Sequence, residues 1–243
     1  RVGQGEGSLL LLQDDTADHE AEEGRRQFTA NVSHELRTPL TTISGYAELL
    51  ENHLAASPED EEKFLSLIRK EAGRMLLLVE DILRLSQLDE GTLELKPQSV
   101  DVKRMAEDTA AALAAKAERR DVRLSVSGHA PEVTTDATLL SEVLYNLLDN
   151  AIKYNRPGGQ AEILLDDVNG HVRIRVKDTG IGIPKEHQQK VFERFYRVDK
   201  SRSKATGGTG LGLSIVKHAA QILSADLRLD STPDQGTTVT VTL

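Results

Sequence analysis

The stretch NLLDNAIKYN sets Asn146 and Asn150 four residues apart, which stacks their amides on one helix face, with Lys153 three residues further along the same side. Amide oxygens suit Mg²⁺, a hard cation that keeps several waters while bridging substrate phosphates. The lysine would meet phosphate oxygens as a compact point charge. Asparagines so placed also cap or bridge neighbouring loops, and for a lone pair that is the commoner use.

Two glycine-rich pieces follow. DTGIGIP, Asp178 to Pro184, comes after a strand pattern, and TGGTGLGLSIVK, Thr206 to Lys217, leads into a helix. Glycine lets the backbone turn at positive φ and approach a ligand closely, and amides at a helix N-terminus favour phosphate. Neither piece is a Walker A loop or a dinucleotide fingerprint. Alone, each is equally an ordinary tight turn. Between them lies FERFYRVDKSRSKATGG, crowding Arg194, Arg197, Lys200, Arg202 and Lys204 into a polar segment. Such a run is usually a solvated loop. In a chain of net charge −9 it is also the best local counter-charge for a triphosphate, and its small residues suit a mobile lid.

A third group stands near the start. In SHELRTPLTTISGYAELL, His34 and Glu35 come one turn before Pro39, and Thr38 shares the face of His34. Proline inside a helix removes a hydrogen bond and crowds the preceding turn, at about 3 kcal/mol. Pro39 cannot donate to the Glu35 carbonyl, so the helix is expected to loosen and bend beside the histidine.

These groups need elements to hold them. Phe28, Val32, Leu36, Leu40, Ile43, Ala47, Leu50 and Leu54 recur at threes and fours, the stripe of an amphipathic helix. A second helix opens at SPED with Ser57 as N-cap, Pro58 at the first position and Asp60 closing the box. Ile68, Met75 and Ile82 then recur at sevens, with Leu78 and Leu85 between them. One hairpin covers only part of two such stripes. A second copy completes a four-helix bundle, so a homodimer through residues 28–88 is expected. Beyond LDEGTLELKPQS, helices are expected at Val102 to Glu118 and Thr138 to Tyr154. Strands are expected around Arg123 to Ser127, Ala161 to Asp166, His171 to Lys177 and Thr237 to Leu243. Helices roofing one side of a sheet make an α+β sandwich.

At 243 residues two units are expected. The acidic balance argues against coating nucleic acid or anionic lipid. With no cysteine, disulfides and thiolate metal sites are excluded. The longest run of large apolar residues, Met75 to Val79, is far short of the roughly 20 residues that span a bilayer. The opening RVGQGEGSLLLLQDDT reads as the last strand of something upstream, which makes the chain a fragment.

In order and separation, SHELRTPL, NLLDNAIKYN, DTGIGIP, FERFYR and GGTGLGLSIVK resemble the H, N, G1, F and G2 boxes of bacterial sensor histidine kinases. The resemblance runs from Gln27 to Leu243, and within the family is most similar to the phosphate-regulon type. It implies the end of an upstream PAS-like sensory domain at 1–14, a connecting helix at 15–27, a dimerisation and phosphoacceptor domain at 28–90, a linker at 91–99 and an ATP-binding domain of the GHKL type at 100–243. The chain would be the cytoplasmic portion of a membrane-anchored parent.

By the same resemblance His34 receives the γ-phosphoryl of ATP, Glu35 handles the proton on the far ring nitrogen, and Thr38 positions water for removing phosphate from a partner's aspartate. Asn150 and Asn146 hold Mg²⁺, Lys153 contacts phosphate, Tyr154 packs along the nucleotide and Asp178 accepts the adenine amino group. Gly180 and Gly182 permit close approach; Gly207, Gly208, Thr209, Gly210 and Gly212 shape the lid up to the helix at Leu211. Gly236 and Thr237 form the last small box, and Arg197 is the chief lid charge, ahead of Arg194 and Lys200. The phosphoryl group then passes to an aspartate on a response regulator. The rival readings are another use of the same ATP fold, as in ATPases of the chaperone, mismatch-repair or gyrase kind or protein serine kinases that resemble it, and a dimeric scaffold that binds ATP without transferring it. The H box and the heptad hairpin argue against the first.

Overall fold

The computed structural model describes residues 16–89, 93–199 and 208–243. The expected upstream strand, Lys200, Arg202, Lys204 and Gly207 lie outside them. The chain divides into two compact units, one ending at Glu71 and the other Ala72–Leu243.

In the first unit α1 (Thr16–Glu51) runs unbroken through Pro39. The proline does not end the helix, and threonine hydroxyls bond carbonyls on either side of it. Thr38 donates to His34 C=O at 3.3 Å, Thr41 to Arg37 C=O at 2.9 Å and Thr42 to Thr38 C=O at 3.1 Å. Such back-bonding competes with the helix ladder and favours curvature. The residues read as a connecting helix belong to the same α1. α2 (Pro58–Asp89) starts as the capping pattern requires, with Ser57 Oγ accepting the Asp60 amide at 3.2 Å. Tyr46 and Phe64 join the two helices with ring centroids 5.2 Å apart.

The second unit begins within α2 and continues through β1 (Pro97–Val100), α3 (Val102–Glu118), β2 (Val122–Gly128), β3 (Val133–Asp136), α4 (Ala137–Lys153), β4 (Gly159–Val168) and β5 (His171–Asp178). Two 3₁₀ turns follow at Lys185–His187 and Lys190–Phe192, then α5 (Gly212–Ile222), β6 (Asp226–Thr232) and β7 (Gly236–Thr242). The main sheet has the order β2-β4-β5-β7-β6, with β2 parallel to β4 and the other pairs antiparallel. Part of the stretch read as linker is strand β1, which pairs antiparallel with β3.

Alternation explains the layers. Ala161, Ile163 and Leu165 on β4 and Val172, Ile174 and Val176 on β5 are buried. α4 buries Leu139, Leu140, Val143, Leu144, Leu147, Leu148, Ala151 and Ile152, and α5 buries Ile215, Val216, Ala219 and Ala220. Each of the leucines, isoleucines and valines contributes about 1.5 to 3 kcal/mol by leaving water, and the alanines less, which fixes α4 and α5 as platforms for polar groups on their other faces. Asp136 caps α4 by accepting the Thr138 and Leu139 amides at 3.0 Å each.

Candidate active site

Asp178 ends β5 and is mostly buried, its Oδ1 accepting the Gly180 amide at 2.8 Å and the Thr237 amide at 3.2 Å. Burial pushes its pKa up to about 6, and the two amides pull the other way. A carboxylate so held has one oxygen committed to the backbone and is suited to accept an amino group.

The turn around it is possible only with glycine. A Cβ on Gly182, at φ +66°, would lie 2.0 Å from the Thr232 carbonyl oxygen, and one on Gly236, at φ +108°, 2.0 Å from that of Asp178. A Cβ on Gly180 would lie 2.4 Å from the carbonyl oxygen of Tyr154, which accepts the Ile181 amide at 3.1 Å. Thr237 Oγ1 meets Ser231 Oγ at 2.8 Å. The expected residues of β5, β7 and the end of α4 are therefore brought together.

On α4 the Asn146 Nδ2 donates to the Glu142 carbonyl at 3.0 Å, which turns its Oδ1 toward Gly212, 2.9 Å from where a Cβ would stand. The Asn150 side chain approaches the same point. Lys153 is largely buried, and burial lowers its ammonium pKa to about 8 against the raising influence of Asp149. The ammonium lies 5.4 Å from the centroid of the Tyr154 ring and fills the space beside Gly208, where a Cβ would come within 2.4 Å of Nζ. Two amides and one cation on one helix face thus open onto a glycine backbone with no side chain between them.

Arg197 donates to the Gly208 carbonyl. Phe195, itself at φ +62°, donates its amide to the Gly210 carbonyl at 2.9 Å, so the aromatic box and the glycine box are one hydrogen-bonded piece. Leu211 is fully buried at the start of α5, and Thr209 Oγ1 accepts its amide at 3.3 Å. Arg194 pairs with Asp89 at 2.7 Å and faces His218 at 3.3 Å, so it is tied to α2 and α5.

In the first unit the His34 side chain is 75% exposed, and Glu35 Oε1 comes within 3.9 Å of its Nδ1. Glu35 thus does bend back toward its neighbour.

Sequence reasoning missed the α2 residues that enter this region. Asp81 Oδ2 accepts the Thr209 hydroxyl at 2.6 Å, and Arg84 holds Glu142 on α4 by Nε contacts of 2.7 and 2.9 Å. They sit in a stretch read for packing, and only the fold brings them to the glycine box. Open grooves of about 350 and 570 Å³ lie along α3 and touch none of these site residues.

Residues 135–243 match the family described as Histidine kinase-, DNA gyrase B-, and HSP90-like ATPase, and residues 24–91 match the His Kinase A (phospho-acceptor) domain. The chain carries the two domains of a histidine kinase. The sensor histidine kinase WalK of Bacillus subtilis is 38% identical over 254 residues, covering 99% of the chain and 40% of the relative. The chain thus spans about two fifths of that protein. ShkA, solved with AMPPNP, has a TM-score of 0.64 at 29% identity over 89% of the chain and 45% of ShkA. Histidine kinase ThkA, solved with the response regulator TrrA, has a TM-score of 0.70 at 24% identity over 95% of the chain and 67% of ThkA, a likeness of fold. The relatives named WalK do not bear out the phosphate-regulon subgroup.

Proposed function

We propose that this chain is the phosphoacceptor and ATP-binding part of a sensor histidine kinase, that it transfers the γ-phosphoryl of ATP to His34 and passes it to an aspartate of a response-regulator domain. A boundary near residues 91–99 would separate the acceptor domain from the ATP-binding domain. The observation that carries the reading is Asp178, a buried carboxylate at the mouth of a glycine turn, on the same domain as the Lys153 ammonium and the two amides.

Asp178 accepts the adenine 6-amino group, in whose place guanine presents a carbonyl oxygen that a carboxylate repels. Lys153 neutralises phosphate oxygens, and Arg197 with the Gly208–Gly212 backbone closes over them. Asn146 and Asn150 offer amide oxygens that fit Mg²⁺ held chiefly by phosphates and water, and the bare backbone of Gly212 leaves it room. When bound, the ion would neutralise charge on the phosphates. A ring nitrogen of His34 attacks the γ-phosphorus, the bond to the bridging oxygen breaks, and ADP leaves with that electron pair. The ring proton passes toward Glu35, the carboxylate nearest it. Thr38, one turn further on, positions water when the same helix removes phosphate from the regulator.

ShkA with AMPPNP and ThkA with TrrA support the two ligands by analogy. A homodimer through residues 28–88 completes the acceptor domain. No helix among the described residues is long and apolar enough to cross a membrane. The test is incubation with Mg²⁺ and γ-labelled ATP. Acid-labile, alkali-stable label on the protein is expected; steady release of free phosphate with no labelled protein would assign the chain to the ATPases.

A further inference from the structure

Three polar side chains of α2 grip the boxes of the ATP-binding domain. Arg84 makes a two-oxygen pair with Glu142, one turn before Asn146 on α4. Asp89 pairs with Arg194 at 2.7 Å and approaches His218 Nε2 at 3.3 Å. Asp81 accepts the Thr209 hydroxyl at 2.6 Å. The first two are opposite-charge pairs that fasten the helix in place. Asp81 differs, since it is a largely buried carboxylate placed against the loop that the nucleotide reading assigns to phosphate.

Burial raises the Asp81 pKa, while the Thr209 hydrogen bond and the nearby Lys153 ammonium draw it down. The one hydrogen-bond partner shown for this carboxylate is a hydroxyl of the glycine box, and the Lys153 ammonium acts on it at longer range; both are groups a phosphate oxygen would use. Two anions cannot share them without strong mutual penalty in a site of low dielectric.

We propose that Asp81 occupies the place of a nucleotide phosphate and latches the glycine box to α2, so that phosphate binding must displace it. The inference rests on the ATP-binding reading above. It makes α2 a regulator of nucleotide affinity: a twist of this helix that withdraws Asp81 admits ATP, and one that presses it home excludes ATP. Arg84 and Asp89 carry the helix's motion to α4 and α5 through their own pairs.

The test compares the full chain with its Asp81→Asn variant, titrating AMPPNP with Mg²⁺ and, as a phosphate-free control, adenosine. The variant keeps the shape and loses the charge. Removing the competitor should tighten AMPPNP binding by threefold or more, within the roughly 5- to 150-fold typical of coupled sites, and leave adenosine unchanged. AMPPNP affinity unchanged within threefold, or weakened, overturns the latch. An equal tightening of adenosine also overturns it, because the effect would not then be on phosphate. If neither protein binds AMPPNP, the nucleotide reading itself falls. Should Asp81→Asn not fold, Asp81→Ser, which keeps a hydroxyl for Thr209 without the charge, gives the same comparison.

Discussion

Asp178 accepts the backbone amide of Thr237 at 3.2 Å, tying the end of β5 to β7 across 59 residues of chain. The contact places the carboxylate and offsets part of the cost of burying it, yet burial still holds its pKa at about 6, above the ordinary 3.8, so the buried charge costs stability. The folded form keeps its proton to higher pH than the unfolded chain, so the cost is absent below about pH 4, grows as pH rises and is complete above about 6. Two pKa units correspond to about 3 kcal/mol. Asp178→Asn should therefore lose ATP binding yet stabilise the unliganded protein by up to about 3 kcal/mol at pH 7.5, the gain shrinking toward pH 4. Denaturant unfolding at the two pH values checks it, and a destabilised variant at pH 7.5 would contradict it.

Lys153 is held near pKa 8 by burial. An arriving polyphosphate favours the charged form, so binding at pH 8 should take up as much as about half a proton. Calorimetry of MgATP binding in two buffers of different ionisation heat measures this. Identical apparent enthalpies in both would contradict the placement of Lys153 on phosphate.

Glycines divide into two classes. A Cβ at Gly182 or Gly236 meets a carbonyl oxygen at 2.0 Å on a backbone of positive φ, whereas Gly45 and Gly73, inside α1 and α2, have nothing within 4 Å. Alanine at either of the first pair should cost roughly 3 kcal/mol or more. Alanine at Gly45 or Gly73 should stabilise by about 1 kcal/mol, the helix propensity difference. Denaturant midpoints distinguish the classes.

Along α2, Leu76 and Leu83 are 61% and 59% exposed and stand seven residues apart on one face. An apolar row of that kind fits the proposed homodimer. Sedimentation at micromolar concentration should give a dimer, and Leu76→Glu with Leu83→Glu should give monomers. A monomeric parent chain would refute the proposed bundle.

How far the chain could be read follows from where its signals are local. α3 occupies the expected Val102 to Glu118, and α4 differs from expectation by one residue at each end, because periodicity and the caps Asp101 and Asp136 are written in consecutive residues. β6 is absent from the expected strands although LRLD alternates, with Leu227 and Leu229 less exposed than their neighbours. β1 and β3 have four residues each, too short for a period to show. The five boxes pointed to the Asn, Lys, Asp and Gly positions of the site. The Asp81 contact with Thr209 joins residues 128 apart and had no signal in the chain. Pairings of that range depend on the packing of α2, not on any local pattern.

The central claim, that His34 takes the phosphoryl group, is tested most directly by mapping phosphate after reaction with MgATP, using fragmentation mass spectrometry at neutral to alkaline pH. The account predicts phosphate on the His34 imidazole and none in His34→Gln. Phosphate on a serine, threonine or another histidine, with His34 unmodified, would contradict it.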